Sequence, residues 1–311
     1  MIENLIVELL ILVLSLVLLA LCSHYTINAL EKLIALTGLS EMSVGFILLA
    51  TLTSVPELIV AIFSVLDGQP GISVGDILGS NVFNIGAVFG ILGMFGYLKT
   101  CCTNLLMDLT DILFLTSLIP LFLVIFNVSS PIVGACLLGT FVASTYLMAK
   151  KKTPAVEVDD GPAVVKQGSK TKVLALLVVT LVGVIIAARL VVSSGVNLAV
   201  MLGAPPILLG AKVVAIGTSL PEFTTDLAAV RRGRINLALG GIIGSNLTNL
   251  TLILGLLLLT SPSVDMTILT EILPFLLLTT VIFWRYLTRG GISKIGGLLL
   301  LGVYVLFQVV I

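Results

Sequence analysis

The sequence predicts an all-α integral membrane protein, with ten transmembrane helices arranged as two inverted five-helix repeats. Three observations lead there. Of the 311 residues, 58% are hydrophobic and only 10% are charged, whereas an ordinary soluble domain carries charge on about a quarter of its residues. Apolar stretches of about 20 residues, long enough to cross a bilayer, recur along the whole chain. A polar and acidic motif also occurs twice, without gaps, at an offset of 165 residues.

Ten spans can be drawn, over 4–23, 42–66, 71–97, 105–126, 130–149, 173–194, 206–230, 236–260, 266–286 and 293–311. The first carries Glu3 and Glu8 around its start and no basic leader, so it is expected to be a retained helix rather than a signal peptide. The long polar stretch 150–172 mixes charge with Gly and Pro and reads as a solvated linker. It separates a first five-helix repeat over 1–149 from a second over 173–311. All of the 16 Lys and Arg residues except Arg189 and Lys212 fall on one side of this drawing. Basic residues accumulate on the cytoplasmic face. The expectation is therefore a multi-pass cell-membrane protein with a cytoplasmic linker and both termini outside. Because five is odd, the second copy must sit upside down relative to the first, and inverted repeats meeting at a central site are a transporter architecture. A formal net charge of zero gives no field for nucleic acid. The four cysteines, Cys22, Cys101, Cys102 and Cys136, lack metal-ligand spacing, and His24 is the one histidine. No cofactor and no catalytic residue are expected.

The repeated motif carries the chemistry. Residues 50–57 read ATLTSVPE and 215–222 read AIGTSLPE; residues 79–84 read GSNVFN and 244–249 read GSNLTN. Thr53, Ser54, Glu57, Ser80, Asn81 and Asn84 thereby pair with Thr218, Ser219, Glu222, Ser245, Asn246 and Asn249. Each glutamate lies more than ~20 Å along its span at ~1.5 Å per residue, past the middle of a hydrocarbon core about 30 Å thick. A carboxylate there is costly, so it should face protein or water and mark an ion path. The proline before each glutamate has no N–H to give and clashes with the carbonyl four residues back. The carbonyls of Leu52 and Gly217 lose their donors, and those of Ala50 and Ala215 are expected to turn inward. Carboxylates, carbonyls and the hydroxyls of Thr53, Ser54, Thr218 and Ser219 make an all-oxygen cage. Such a cage suits a hard cation, Ca²⁺ above all and also Na⁺. Asp76, Ser80 and Asn84 lie along one helical face, and Ser245 and Asn249 form the matching pair. Gly75, Gly79, Gly240, Gly241 and Gly244 allow close helix approach. Singly, intramembrane Ser and Thr more often bond their own backbone, and a lone buried Glu is often a helix contact. The whole pattern occurring twice at one depth weighs against that explanation.

At these residues the sequence resembles the Ca²⁺/cation antiporter superfamily, and within it the Na⁺/Ca²⁺ exchangers. TSVPE and TSLPE, each followed by GSN-x-x-N, are similar to that family's two α-repeats. The resemblance implies one Ca²⁺ between Glu57 and Glu222, helped by Thr53 and Thr218. It implies flanking Na⁺ positions using Ser54, Ser80, Ser219, Ser245 and the carbonyls of Ala50 and Ala215. It also implies alternating access, with the first and sixth helices sliding across the core.

This chain departs from the family pattern at several places. It has Asn at both Asn84 and Asn249, where some members carry one Asp. Asp76 stands where Asn is frequent, and is weighed as an offset for the missing acid. Asp226 has Ala61 as its repeat counterpart, and Lys212 has Ile47. Lys212 is expected to reach the outer surface. Asp226 is expected to be solvated near the cytoplasmic end, or else to serve as a proton carrier or access-path residue. The leading expectation is Na⁺-driven Ca²⁺ antiport by a monomer in the lipid bilayer, with Ca²⁺ and Na⁺ bound as cargo. H⁺-driven Ca²⁺ antiport is the near alternative, because glutamates also take protons. A Ca²⁺ channel and an intramembrane aspartyl protease built on Asp76 and Asp226 are remote ones.

Overall fold

A computed structural model of the protein describes residues 2–37, 53–99, 104–126, 130–150, 170–231, 233, 235–261 and 269–311. Among them every regular element is helical. Seven helical stretches are long and apolar enough to cross a membrane: Asn4–Thr26, Pro70–Met94, Leu106–Phe126, Thr171–Leu202, Pro206–Arg231, Ala238–Thr260 and Leu269–Leu287. Three shorter apolar helices are Val55–Leu66, Pro131–Tyr146 and Lys294–Val310. The expected span over 42–66 is described only from Thr53 onward.

Two helices outrun the expected spans. The first, α1, covers Ile2–Thr37 instead of ending near residue 23, and its repeat counterpart, α8, covers Lys170–Leu202. The sequence explains this. No proline interrupts residues 24–37 or 195–202, and helix-compatible residues continue past each apolar run. The two helices pack along one another through Leu12, Leu19, Val184, Ala187, Ala188 and Val191. Their opposite faces present Leu10, Leu14, Val17, Val179 and Ile186 outward, the side a bilayer would solvate. On α8, Arg189 pairs with Asp67, which follows α2 (Val55–Leu66), and its guanidinium lies 5.3 Å over the Phe63 ring.

The centre is built from α3 (Pro70–Val82) with α4 (Phe89–Met94), and from α11 (Ile235–Thr248) with α12 (Leu254–Thr260). Wide, π-type turns join each pair, over Phe83–Val88 and Asn249–Ile253. A third such turn, Gly210–Val214, joins α9 (Pro206–Leu209) to α10 (Ala215–Arg231). Such turns cluster at functional places in helices. The other helices are α5 (Asn104–Ser117), α6 (Ile119–Phe126), α7 (Pro131–Lys150), α13 (Leu269–Leu287) and α14 (Lys294–Val310). They wrap the centre, with Phe283 of α13 stacked on Phe89 at 4.5 Å between centroids.

Glycine sets how closely the centre packs. A side chain on Gly75 or Gly79 would overlap the backbone of Ile207 or Ala211, and one on Gly210 would overlap the carbonyl of Ile72. The backbones of α3 and of the α9–α10 turn therefore touch directly, as small residues permit in membrane helices. Lys212, on that turn, is half-buried. It donates to the Gln308 carbonyl in the last turn of α14 at 3.2 Å, where the negative end of the helix dipole favours a cation.

Candidate functional site

Thirteen residues are candidates on sequence grounds, and all but Ala50 fall within the described structure; Ala50 lies outside the described residues. Glu57 sits in the first turn of α2, one residue after Pro56, so the proline falls where a helix tolerates it. Pro221, by contrast, lies inside α10. It has no N–H for the Gly217 carbonyl one turn back. The two copies of one motif thus start a helix in the first half and interrupt one in the second.

The carboxylates are buried: Glu57 and Asp76 are 0% exposed and Glu222 is 2% exposed. Ser219 donates to Glu57 Oε1 at 3.3 Å, which ties the motif of α10 to that of α2. Glu57 Oε2 and both oxygens of Glu222 have no hydrogen-bond partner. Orphaned buried acceptors carry a desolvation cost of several kcal/mol per charge, roughly. These three oxygens would be compensated if they faced a cation. Asp76 Oδ1 accepts from Thr218 at 2.9 Å and from Ser80 at 3.4 Å, while Oδ2 is orphaned. The Ala215 carbonyl lies 3.5 Å from Ser80 Oγ and 3.3 Å from Thr218 Oγ1. Its position at the start of α10, just after a wide turn, places it among these hydroxyls.

Contacts between the halves are reciprocal. Thr53 and Ser245 share a hydrogen bond of 2.7 Å, and their counterparts Thr218 and Ser80 lie 3.4 Å apart. Asn84 Nδ2 donates to Asn246 Oδ1 at 3.1 Å, and Asn249 Nδ2 donates to Asn81 Oδ1 at 3.1 Å. Asn81 Nδ2 also donates to the Asn246 carbonyl at 3.2 Å. A four-asparagine clasp therefore joins the central helices. The amide of Asn249 thus bonds Asn81 and neither glutamate. Asn84 and Asn249 keep orphaned Oδ1 acceptors, both buried. Ser54 and Ser219 are buried beside Glu57 and Glu222 in sequence.

Asp226 corrects an expectation. It is 5% exposed rather than solvated, because α10 continues a further turn to Arg231 and α11 packs against it. Asn81 and Asn246, paired by the repeat within the GSN segments, are not among the thirteen candidates. Their signal was the repeat itself, since both fall at the same 165-residue offset. Among the described residues no three His, Cys, Asp or Glu side chains converge as a metal cluster. The donors assembled here are mixed instead: carboxylates, hydroxyls, amide oxygens and a backbone carbonyl. That set is hard and oxygen-only, as Ca²⁺ and Na⁺ require.

Comparison with known proteins follows the same lines. The sodium/calcium exchanger protein MaX1 of Methanosarcina acetivorans is 29% identical, over 98% of each chain. The solved structure of the sodium-calcium exchanger NCX_Mj superposes with a TM-score of 0.67 at 25% identity, covering 97% of this chain and 98% of that one. The H⁺/Ca²⁺ exchanger CAX superposes with a TM-score of 0.80 at 18% identity, over 98% of this chain and 82% of that one, a likeness of fold. The family model for the sodium/calcium exchanger protein matches residues 7–150 and 172–311. With both copies of the motif inside the matched ranges, this chain belongs to the sodium/calcium exchanger protein family.

Proposed function

We propose that this protein is a secondary antiporter that exchanges Ca²⁺ for Na⁺ by alternating access, with Ca²⁺ held between Glu57 and Glu222. It is a transporter, as its family is, and not an enzyme. One observation carries the choice of site: two buried glutamates from equivalent places in the two halves, with orphaned oxygens, Glu57 of the first half accepting from Ser219 of the second. Thr53 and Thr218 complete the central site. Ser54, Ser80, Ser219, Ser245, Asn84, Asn249, Asp76 and the carbonyls of Ala50 and Ala215 flank it. Two carboxylates balance one Ca²⁺ or two Na⁺. Competition between these loads for one set of charges is what couples their movements. Hydroxyl-rich surroundings favour Na⁺ over H⁺ as the driving ion, since a proton needs no oxygen cage.

The proposed architecture is ten crossings in two inverted repeats. Its support is that Val55–Leu66, Pro131–Tyr146 and Lys294–Val310 fall on the spans not supplied by the longer helices. The linker over 150–172 is then cytoplasmic and both termini outside. Thiol reagents that cannot cross the membrane should reach Cys101 and Cys102, beside Lys99, from the cytoplasmic side alone. Labelling from outside would overturn the topology. Function is tested by Ca²⁺ uptake into proteoliposomes under imposed Na⁺, K⁺ or pH gradients. Uptake driven by a Na⁺ gradient is expected. Uptake that follows only the pH gradient would replace Na⁺ by H⁺, and Ca²⁺ flux with no counter-ion gradient would make the protein a channel.

A further inference from the structure

Two positions break the correspondence between the halves, and they do so in complementary ways. At the 165-residue offset Asp76 is matched by Gly241, and Asp226 is matched by Ala61. Asp76 lies one turn before Ser80 on α3, as Gly241 lies one turn before Ser245 on α11. Each half therefore has a small residue where the other has an acid, but on different helices.

Space at Gly241 links the two exceptions. A Cβ there would fall 3.1 Å from Asp226 Oδ1, and apart from the backbone of α11 no other described atom comes within 4 Å. The Asp226 carboxyl thus occupies room that a side chain at 241 would take. Gly241 is one turn from Ser245, which bonds Thr53. Asp226 therefore stands one helical turn from Ser245 along α11, at the level where Asp76 would fall in the other half, whereas Asp76 itself bonds Thr218 and Ser80. Asp226 also follows Glu222 by one turn of α10, so the two share a helical face. Both oxygens of Glu222 are orphaned although the residue is only 2% exposed.

We propose that Asp226 is the spatial counterpart of Asp76, supplying the carboxylate of a Na⁺ position between itself, Glu222 and the Gly241–Ser245 face of α11. This rests on the proposed site at Glu57 and Glu222. Charge selects the ligand. With Glu57 and Glu222 balancing two Na⁺ once Ca²⁺ has left, the single charge of Asp226 matches one more monovalent cation. Ca²⁺ asks for about six to eight oxygens, more than one carboxylate edge, one shared glutamate and one hydroxyl offer. Na⁺ is satisfied with fewer. The absent side chain at Gly241 is what lets a carboxylate from a neighbouring helix serve this level.

The test is equilibrium binding of radiolabelled Ca²⁺ to the purified, detergent-solubilised protein, and its displacement by Na⁺. Asp226→Asn and Asp226→Ala should each need about tenfold more Na⁺ to displace half the Ca²⁺, the effect of roughly 1.4 kcal/mol in binding. Displacement should be less steep, with Ca²⁺ half-saturation in the absence of Na⁺ moving much less. The double variant Asp226→Ala/Gly241→Asp returns the acid to the symmetric position, where the clash with Asp226 is gone. It should restore the midpoint and steepness of the parent. Unchanged Na⁺ displacement in Asp226→Asn overturns the proposal. So does a double variant no better than Asp226→Ala, or a parent whose Ca²⁺ Na⁺ does not displace. Asp226→Asn, nearly isosteric, carries the test if the alanine variants do not remain monodisperse. A parent that releases Ca²⁺ to Na⁺ in detergent but does not exchange them in proteoliposomes defeats the antiport function and leaves the Asp226 result to stand by itself.

Discussion

The central and outer helices are both strongly apolar, yet they do opposite things with that property. Over 18-residue windows of the central stretches Pro70–Met94 and Ala238–Thr260, 89% and 83% of residues are buried, against 17% for such a window of Asn4–Thr26. The outer stretch is nonetheless the more hydrophobic of the three. Burial inside the protein therefore runs against hydrophobicity. In water the most apolar helix would be the core. In a bilayer the lipid takes that role, and the protein interior goes to helices carrying Ser, Asn, Asp and Gly. Those residues bond or approach one another in ways lipid cannot match. Polar and acidic side chains are concentrated where the helices are least oily.

This contrast can be tested from its strongest consequence downward. Glu57→Gln and Glu222→Gln should each lower Ca²⁺ exchange on the order of a hundredfold, since each deletes one of two charges that offset Ca²⁺ dehydration. The purified variants should remain monodisperse. Near-normal uptake by either would falsify the shared site. Next, Gly79→Val should cost upwards of about 3 kcal/mol by overpacking, because the added carbons would enter the Ala211 backbone. Loss of monodisperse protein on size exclusion is the expected result, and a well-behaved variant would show that the two backbones are not in contact. Smaller still is Asn81→Ala. It strands the Nδ2 donor of Asn249 in a buried place, at about 1–3 kcal/mol. Thermal unfolding in detergent should register it, with a comparable loss for Asn246→Ala. At the bottom stands the outer pair. Leu14, 67% exposed on α1, should tolerate Ala within about 0.5 kcal/mol. A large loss of stability there would mean that this face meets protein rather than lipid.

Much of this was legible in the sequence, for physical reasons that differ by residue. The glutamates announced themselves by cost, since a carboxylate deep in an apolar span needs a reason to be there. The seven long apolar stretches are likewise visible as runs in which charge is sparse. The clasp was less visible. Asn81 and Asn246 sit in a recognisable segment, but which amide meets which depends on helix rotation. The wide turns at Phe83–Val88 and Asn249–Ile253 alter that rotation, and periodicity at 3.6 residues does not anticipate them. The place of Asp226 was misjudged for a related reason. Proximity to the end of a span says nothing about the neighbouring helix, and α11 covers it. The long α1 and α8 were cut short because hydrophobicity ends before helicity does.

The reciprocal bonds between the halves have a meaning in the grammar of oligomers. Residue 84 meets 246 while 249 meets 81, and 53 meets 245 while 218 meets 80. This i-to-j, j-to-i exchange is the signature of an isologous contact, the kind two identical subunits make across a two-fold axis. In a true homodimer every substitution would appear twice, so an acid placed at one copy of position 76 would appear at the other as well. A single fused chain is free of that rule. It can hold Asp76 against Gly241 in one half and Asp226 against Ala61 in the other, keeping the reciprocal clasp while letting the two sides of its centre diverge one residue at a time.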